Sequence, residues 1–310
     1  MVTSEHKRII EQCDFFKATQ IEVSSIYKND PLEKCFLVRD VKRSINYKAR
    51  LFRKEFPTHV DSEYKALTFL KQNAITWVPN IYYSSLEGEN SIIVYEFFDG
   101  ISIDKLGTRL GLDEIKVVKN DLIIQINNLH SITTSGFGDF SGNEFASWKD
   151  YFKLKFFNHI NNALNLGVIT QEEFEIINVA FDDNSSYYDT VKSTFLHFDI
   201  KPSNVVYEQP TGNTHIIDFE LCRRGDRLME FVRLITPYNE PDYLHQKLFA
   251  PLAQSYFDSF TGSVQESSIY TLYNLYNLLA YYTTSEMNRG IKKHNLIEPI
   301  KKDIKALRPK

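Results

Sequence analysis

The chain has few of the features that mark several protein classes. Its three cysteines, Cys13, Cys35 and Cys222, are odd in number and far apart in 310 residues. That excludes a disulfide framework and a cysteine metal site, and it suits a reducing cytoplasm. Basic charge is not in excess: 36 Lys and Arg against 40 Asp and Glu leave a net charge of -4, so no nucleic-acid partner is expected. No apolar run is long enough for a bilayer. The nearest, residues 269–282, is short and is broken by Asn274 and Asn277, so no membrane partner is expected either. Residues 1–16 are charged and helically periodic without an apolar centre, unlike a signal peptide. Repeats, low-complexity tracts and Pro-, Gly- or Ser-rich linkers are missing. What remains, 43% hydrophobic and 25% charged residues, is the composition of a globular, cytoplasmic protein large enough for two lobes. Oligomeric state is not legible.

Against this background one stretch is dense in chemistry. FLHFDIKPSN, residues 195–204, places His197, Asp199, Lys201 and Asn204 between two apolar runs. Pro202 and Ser203 alone would suit a surface turn. Downstream, β-branched residues at 205–207 and 216–217 flank QPTGN, the pattern of a hairpin with a Gly-containing loop. A loop centred on Thr211 sets Asn204 opposite Asp218. Opposed residues in an antiparallel pair have Cβ atoms about 5 Å apart, close enough for an amide oxygen and a carboxylate to share Mg²⁺, a hard cation that also binds substrate phosphates. Asp199, five residues before Asn204, leads into the same end. H-x-D-x-x-x-x-N, a hairpin, then Asp218-Phe219 is the catalytic-loop and metal-loop arrangement of the protein-kinase-like fold, a phosphoryl-transfer site.

The rest of the pattern agrees. After an amphipathic N-terminal helix come strand patterns at 19–27, 35–41 and 45–52, with NDP turning between the first two. A helix over 61–72 follows, capped by Asp61 or Ser62, then strands at 81–84 and 91–97 around LEGEN. From Leu112 the pattern is mostly helical, beginning with one long helix over 112–132. The class is α+β: a two-lobed chain with a β-rich nucleotide-binding lobe over 1–98, a hinge near 98–100, and a helical catalytic and acceptor-binding lobe over 99–310. In NYKARLF, Lys48 and Arg50 share a strand face. One of them reaches nucleotide phosphates while Glu63 holds it by an ion pair. Arg50, nearest the apolar end of the strand, is the first choice and Lys48 the second. The backbone of Glu96 and Phe98 suits an adenine ring.

In order along the chain, YEFFDG, NLHSITTSGFG, the Ser147-Trp148 pair, HFDIKPSN, IIDFE and GDRLMEF resemble the aminoglycoside phosphotransferase and choline kinase family of small-molecule kinases. The resemblance implies that Asp199 is the base for an acceptor hydroxyl, that Asn204 and Asp218 bind Mg²⁺, and that Asp226 braces the catalytic loop. Three departures stand out. Phe198 replaces the glycine usual between His and Asp, Glu230 stands where the family prefers Asp, and the first hairpin has no glycine. Ser24 and Ser25 are its only candidates for phosphate contacts.

Lys201 sits where it can neutralise charge on the γ-phosphate, as in Ser/Thr protein kinases. The short passage from Asp218 into a helix, with no A-P-E, leaves no peptide platform, so the acceptor is small. A Ser/Thr protein kinase and a non-catalytic nucleotide-binding protein are the alternatives. His197 orients the loop, His130 is a packing residue, and the stripe at 269–282 is core. Six acids at 172–189, with no Lys or Arg among them, are expected near the acceptor cleft, where they favour a cationic acceptor such as an aminoglycoside or amino alcohol. The donor is ATP or GTP.

Overall fold

The computed structural model describes residues 2–25, 33–53, 58–86, 90–142, 144–236, 243–258, 267–290 and 293–308. The turn NDP, Tyr27 and most of LEGEN lie outside them. The chain forms two compact units, 1–105 with 203–222, and 106–202 with 223–310.

The first unit is built on a five-stranded antiparallel sheet in the order β1-β2-β3-β5-β4: β1 (Ile21–Ser25), β2 (Glu33–Asp40), β3 (Ile45–Arg53), β4 (Ile81–Ser85) and β5 (Asn90–Glu96). Alternation along the strands divides its faces. Phe36, Val38, Tyr47, Ala49, Leu51, Ile92 and Val94 form one buried cluster with Ile10 of α1 (Ser4–Gln12). Lys48 and Arg50 fall on the other face, opposite Tyr95 and Ile93 of β5. There they meet α2, whose bounds Thr58–Gln72 begin before the expected cap, so that Asp61 lies in the first turn. A carboxylate there complements the N-terminal end of the helix dipole, and Asp61 also pairs with Lys65 at 2.6 Å. The remaining strands of this unit are β6 (Ile101–Ser102), β9 (Val205–Glu208) and β10 (Asn213–Ile216), paired β10-β9-β6.

The hairpin register differs from expectation by one residue. Val205 pairs with Ile216 and Glu208 with Asn213. The N–H of Gly212 (φ 74) bonds the Glu208 carbonyl, closing a four-residue loop. An even loop centres the hairpin between Pro210 and Thr211, so the Asn204 carbonyl takes the N–H of Ile217 at 2.9 Å and Asp218 is not directly opposite Asn204. Asp218 instead turns out of the ladder with φ 71 and ψ 67.

The helix α3 (Ile103–Leu106) spans the boundary between the units. The second unit is mostly helical: α4 (Leu112–His130), α5 (Trp148–Asn165), α6 (Gln171–Asp183), α7 (Ser185–Tyr188), α8 (Arg227–Ile235), α9 (Ala250–Phe257), α10 (Ser268–Arg289) and α11 (Ile297–Ala306). Ser147 caps α5 by accepting the Asp150 N–H at 3.1 Å. Trp148, Phe152 and Phe156 of α5 are buried, with Tyr273, Leu275 and Leu279 of α10, so the stripe at 269–282 is core. A small sheet, β7 (Gly138–Asp139), β11 (Arg223–Gly225) and β8 (Thr194–Leu196), carries the loop that begins at His197. Among the described residues no helix is long and apolar enough to cross a membrane.

Candidate active site

In the first unit, Arg50 is the centre of an acidic cluster. Its guanidinium bonds Glu63 at 2.5 Å, lies 3.9 Å from Asp218, and bonds Glu220. The Tyr95 hydroxyl donates to Glu63 at 2.9 Å. Burial pushes the Glu63 carboxyl up, but Arg50 and Lys48 outweigh it and hold the pKa below its ordinary value. With three carboxylates around one buried guanidinium, burial and then Asp218 push Glu220 up to about 7.

Arg50 itself is 3% exposed, and it is Lys48 that lines a cavity together with Glu63, Glu96, Phe98, Ile217 and Asp218. Burial lowers the Lys48 pKa, yet Glu63, together with Cys35 and Asp218, more than restores it, so the ammonium stays charged inside the cavity. Phe98, two residues on from Glu96, stacks on His215 with ring centroids 3.9 Å apart. Gly100 is required beside them, because a Cβ there would lie 2.6 Å from Val206 Cγ1 and 2.8 Å from the Tyr207 carbonyl. Ser203 also borders this cavity, whereas Ser24 and Ser25 are exposed on β1 and do not line it. Asn204 is buried, and its Oδ1 takes the Ser203 hydroxyl at 3.4 Å. Asp218 retains 30% side-chain exposure. One amide and one carboxylate, with coordination left over for waters and phosphates, is a donor set that fits Mg²⁺. Among the described residues no trio of His, Cys, Asp or Glu is placed for a metal.

In the second unit, the loop after β8 is held by its backbone. Glu230 accepts the N–H of Phe198 at 2.7 Å and of His197 at 3.3 Å, and its third partner is His130 Nε2 at 2.7 Å. His130 is thus part of the brace and not simple packing. His197 Nδ1 takes the Asp199 N–H at 3.2 Å, which orients the loop as expected. Asp226, by contrast, caps α8 through the Leu228 N–H at 2.9 Å and receives the hydroxyls of Tyr187 and Tyr273, both at 2.7 Å. Its hold on the loop runs through α8, and the direct brace is Glu230.

Asp199 carries a cation on each oxygen: Lys201 on Oδ2 at 2.6 Å and Arg233 on Oδ1 at 3.4 Å. Sequence reasoning missed Arg233. Its signal was its spacing, three residues after Glu230 on α8, which puts both on one helix face. Of the acids at 172–189, Glu172 pairs with Arg308 at 3.0 Å and Glu173 with Lys301. The second pair links α11 to α6, whereas Arg308 lies just beyond the end of α11.

The model of the phosphotransferase enzyme family matches residues 34–261, and the chain belongs to that family. The fold is that of protein-kinase-like phosphotransferases. A thermostable mutant of aminoglycoside phosphotransferase APH(4)-Ia, in a ternary complex with AMP-PNP and hygromycin B, is 14% identical with a TM-score of 0.70, covering 98% of both chains. ADP-bound APH(2'')-Ib is 17% identical with a TM-score of 0.66, also covering 98% of both. The streptomycin–ATP–APH(2")-IIa complex is 17% identical with a TM-score of 0.64, covering 98% of this chain and 97% of that one. At these identities the likeness speaks for the fold. Among curated proteins none matches. The chain is a phosphotransferase with a hydroxyl acceptor, and a small-molecule kinase.

Proposed function

We propose that this kinase moves the γ-phosphoryl group of ATP or GTP to a hydroxyl of a small, amine-bearing acceptor, with Mg²⁺ held by Asn204 and Asp218. The observation that carries the reading is Asp199, 7% exposed and flanked by Lys201 and Arg233. A carboxylate held in one orientation can take the proton of an acceptor hydroxyl. Lys201 is 52% exposed along its side chain, so it is able to leave Asp199 and meet charge developing on the transferred phosphoryl group. Bound Mg²⁺ would neutralise phosphate charge. Lys48, facing the cavity, serves as the phosphate-binding cation, while Arg50 keeps Glu63, Asp218 and Glu220 together.

An amine-bearing acceptor is supported by the relatives crystallised with hygromycin B and streptomycin. The passage from Asp218 through a short 3-10 turn (Phe219–Leu221) and β11 into α8 disfavours a peptide acceptor. The test is nucleoside diphosphate release and product mass with ATP and with GTP, across aminoglycosides, amino alcohols, neutral sugars and nucleosides. Phosphorylation of an amine-bearing acceptor is expected. Turnover of neutral sugars or nucleosides alone would overturn the acceptor assignment, and no turnover with any acceptor would overturn the kinase reading.

A further inference from the structure

One of the three departures from the family pattern, Phe198, lies in the middle of the loop that carries Asp199. Phe198 occupies the left-handed region with φ 64 and is 1% exposed. Glycine adopts that conformation freely and phenylalanine does so under strain, so the ring must gain something that glycine lacks. Two guanidinium groups lie over it: Arg223 with Cζ 4.0 Å from the ring centroid, and Arg233 with Cζ 4.6 Å away. Arg223 is fixed from behind by the Tyr276 hydroxyl at 2.9 Å and by Asp139 at 3.3 Å. Arg233 is the one that reaches Asp199 Oδ1.

We infer that Phe198 is a positioning residue for phosphoryl transfer: its ring face holds the Arg233 guanidinium against Asp199 Oδ1, which leaves Oδ2 as the oxygen that receives the acceptor proton. The inference rests on the proposed role of Asp199 as base. The electron-rich face of the ring attracts a partly desolvated guanidinium. An arginine on an α8 side chain alone would sample several rotamers, whereas one lying on a buried ring is confined to few. The two cations at Asp199 then have different duties. Arg233, 20% exposed and seated on the ring, stays on Oδ1, while Lys201, 52% exposed, departs from Oδ2 when nucleotide arrives. The same α8 supplies Glu230 to the Phe198 N–H, so one helix sets both the backbone of this residue and the cation on its ring.

The test is a double-mutant cycle on turnover with Phe198→Leu and Arg233→Met, which together keep apolar bulk and remove the ring face and the charge. Phe198→Leu should lower kcat about tenfold with KM for nucleotide unchanged. The double variant should be no slower than Arg233→Met alone, because the ring acts through the arginine. Phe198→Tyr, which keeps the ring, should turn over faster than Phe198→Leu. Independently of any acceptor, solvent exchange of the Arg233 Nε–H by NMR should accelerate in Phe198→Leu. Multiplicative losses, or unchanged Arg233 exchange in a folded Phe198→Leu protein, would overturn the inference while Asp199 remained essential. Full turnover in Asp199→Asn would overturn it together with the reading on which it rests.

Discussion

Glu230 Oε1 accepts the N–H of Phe198 at 2.7 Å while Glu230 Oε2 bonds His130 Nε2 at 2.7 Å, so one buried carboxylate ties the long helix α4 to the loop that begins at His197. Glu230→Gln replaces an oxygen acceptor with an amide donor facing a donor. A loss of about 1–3 kcal/mol in denaturant unfolding is expected. Burial raises the Glu230 pKa, but His130 and His197 and the backbone bond lower it further, leaving it below 4.5. Its contribution is therefore complete above its unfolded pKa and lost as pH falls through the lowered folded value. Glu230→Gln should flatten that acid limb of stability, and an unchanged limb would count against the brace.

Lys48 and Arg50 should fail differently. Lys48→Met is expected to weaken nucleotide binding at least roughly tenfold by calorimetry with little change in melting temperature. Arg50→Met leaves Glu63 buried without its ion pair, at a cost of about 3–5 kcal/mol, seen first as a lower Tm. Equal effects on both measurements would contradict the division of roles.

Gly100→Ala forces a methyl group against Val206 and the Tyr207 backbone. Separating β6 from β9 should destabilise the protein by about 1–3 kcal/mol and also weaken nucleotide binding, since Gly100 and Val206 line the same cavity. Thermal melts with and without nucleotide read both.

Asp303 is a half-buried acid that the proposed chemistry does not use. Burial pushes its pKa up to about 6, although Asn274 donates to it at 2.8 Å. With the folded value raised, stability is full below the unfolded pKa and declines as pH rises from about 4 to about 6. Asp303→Asn keeps an acceptor for Asn274 and should remove that decline, raising Tm at pH 7.5 relative to the parent. The effect is at most about 3 kcal/mol before solvent screening. A parent-like pH profile in the variant would refute it.

The fold class was legible because strand alternation and helical periodicity follow directly from burial. The faces of β3 and the stripe of α10 came from the same signals. The loop from His197 to Asn204 was legible because its spacing is set by chain geometry. Less legible was whatever depends on one residue of register or on partners distant in sequence. The four-residue loop at Glu208 shifted the Asn204 partner to Ile217, since loop parity is not encoded in the flanking apolar pattern. The family resemblance points to Asp226 as the brace, but the bond to the loop falls to Glu230, four residues on in α8. Arg233 went unread because its spacing from Glu230 marks a helix face but not its partner, a carboxylate 34 residues away in sequence. The acids at 172–189 read as a field for a cation, yet two of them pair with Arg308 and Lys301.

The proposed role of Asp199 as base is read by single turnover of Asp199→Asn with Mg²⁺ and nucleotide. Phosphoryl transfer to the acceptor should slow roughly 100- to 10,000-fold, while nucleotide affinity by calorimetry stays near that of the parent, because a base acts in the transition state. Transfer at the parent rate by a folded Asp199→Asn protein would contradict the account.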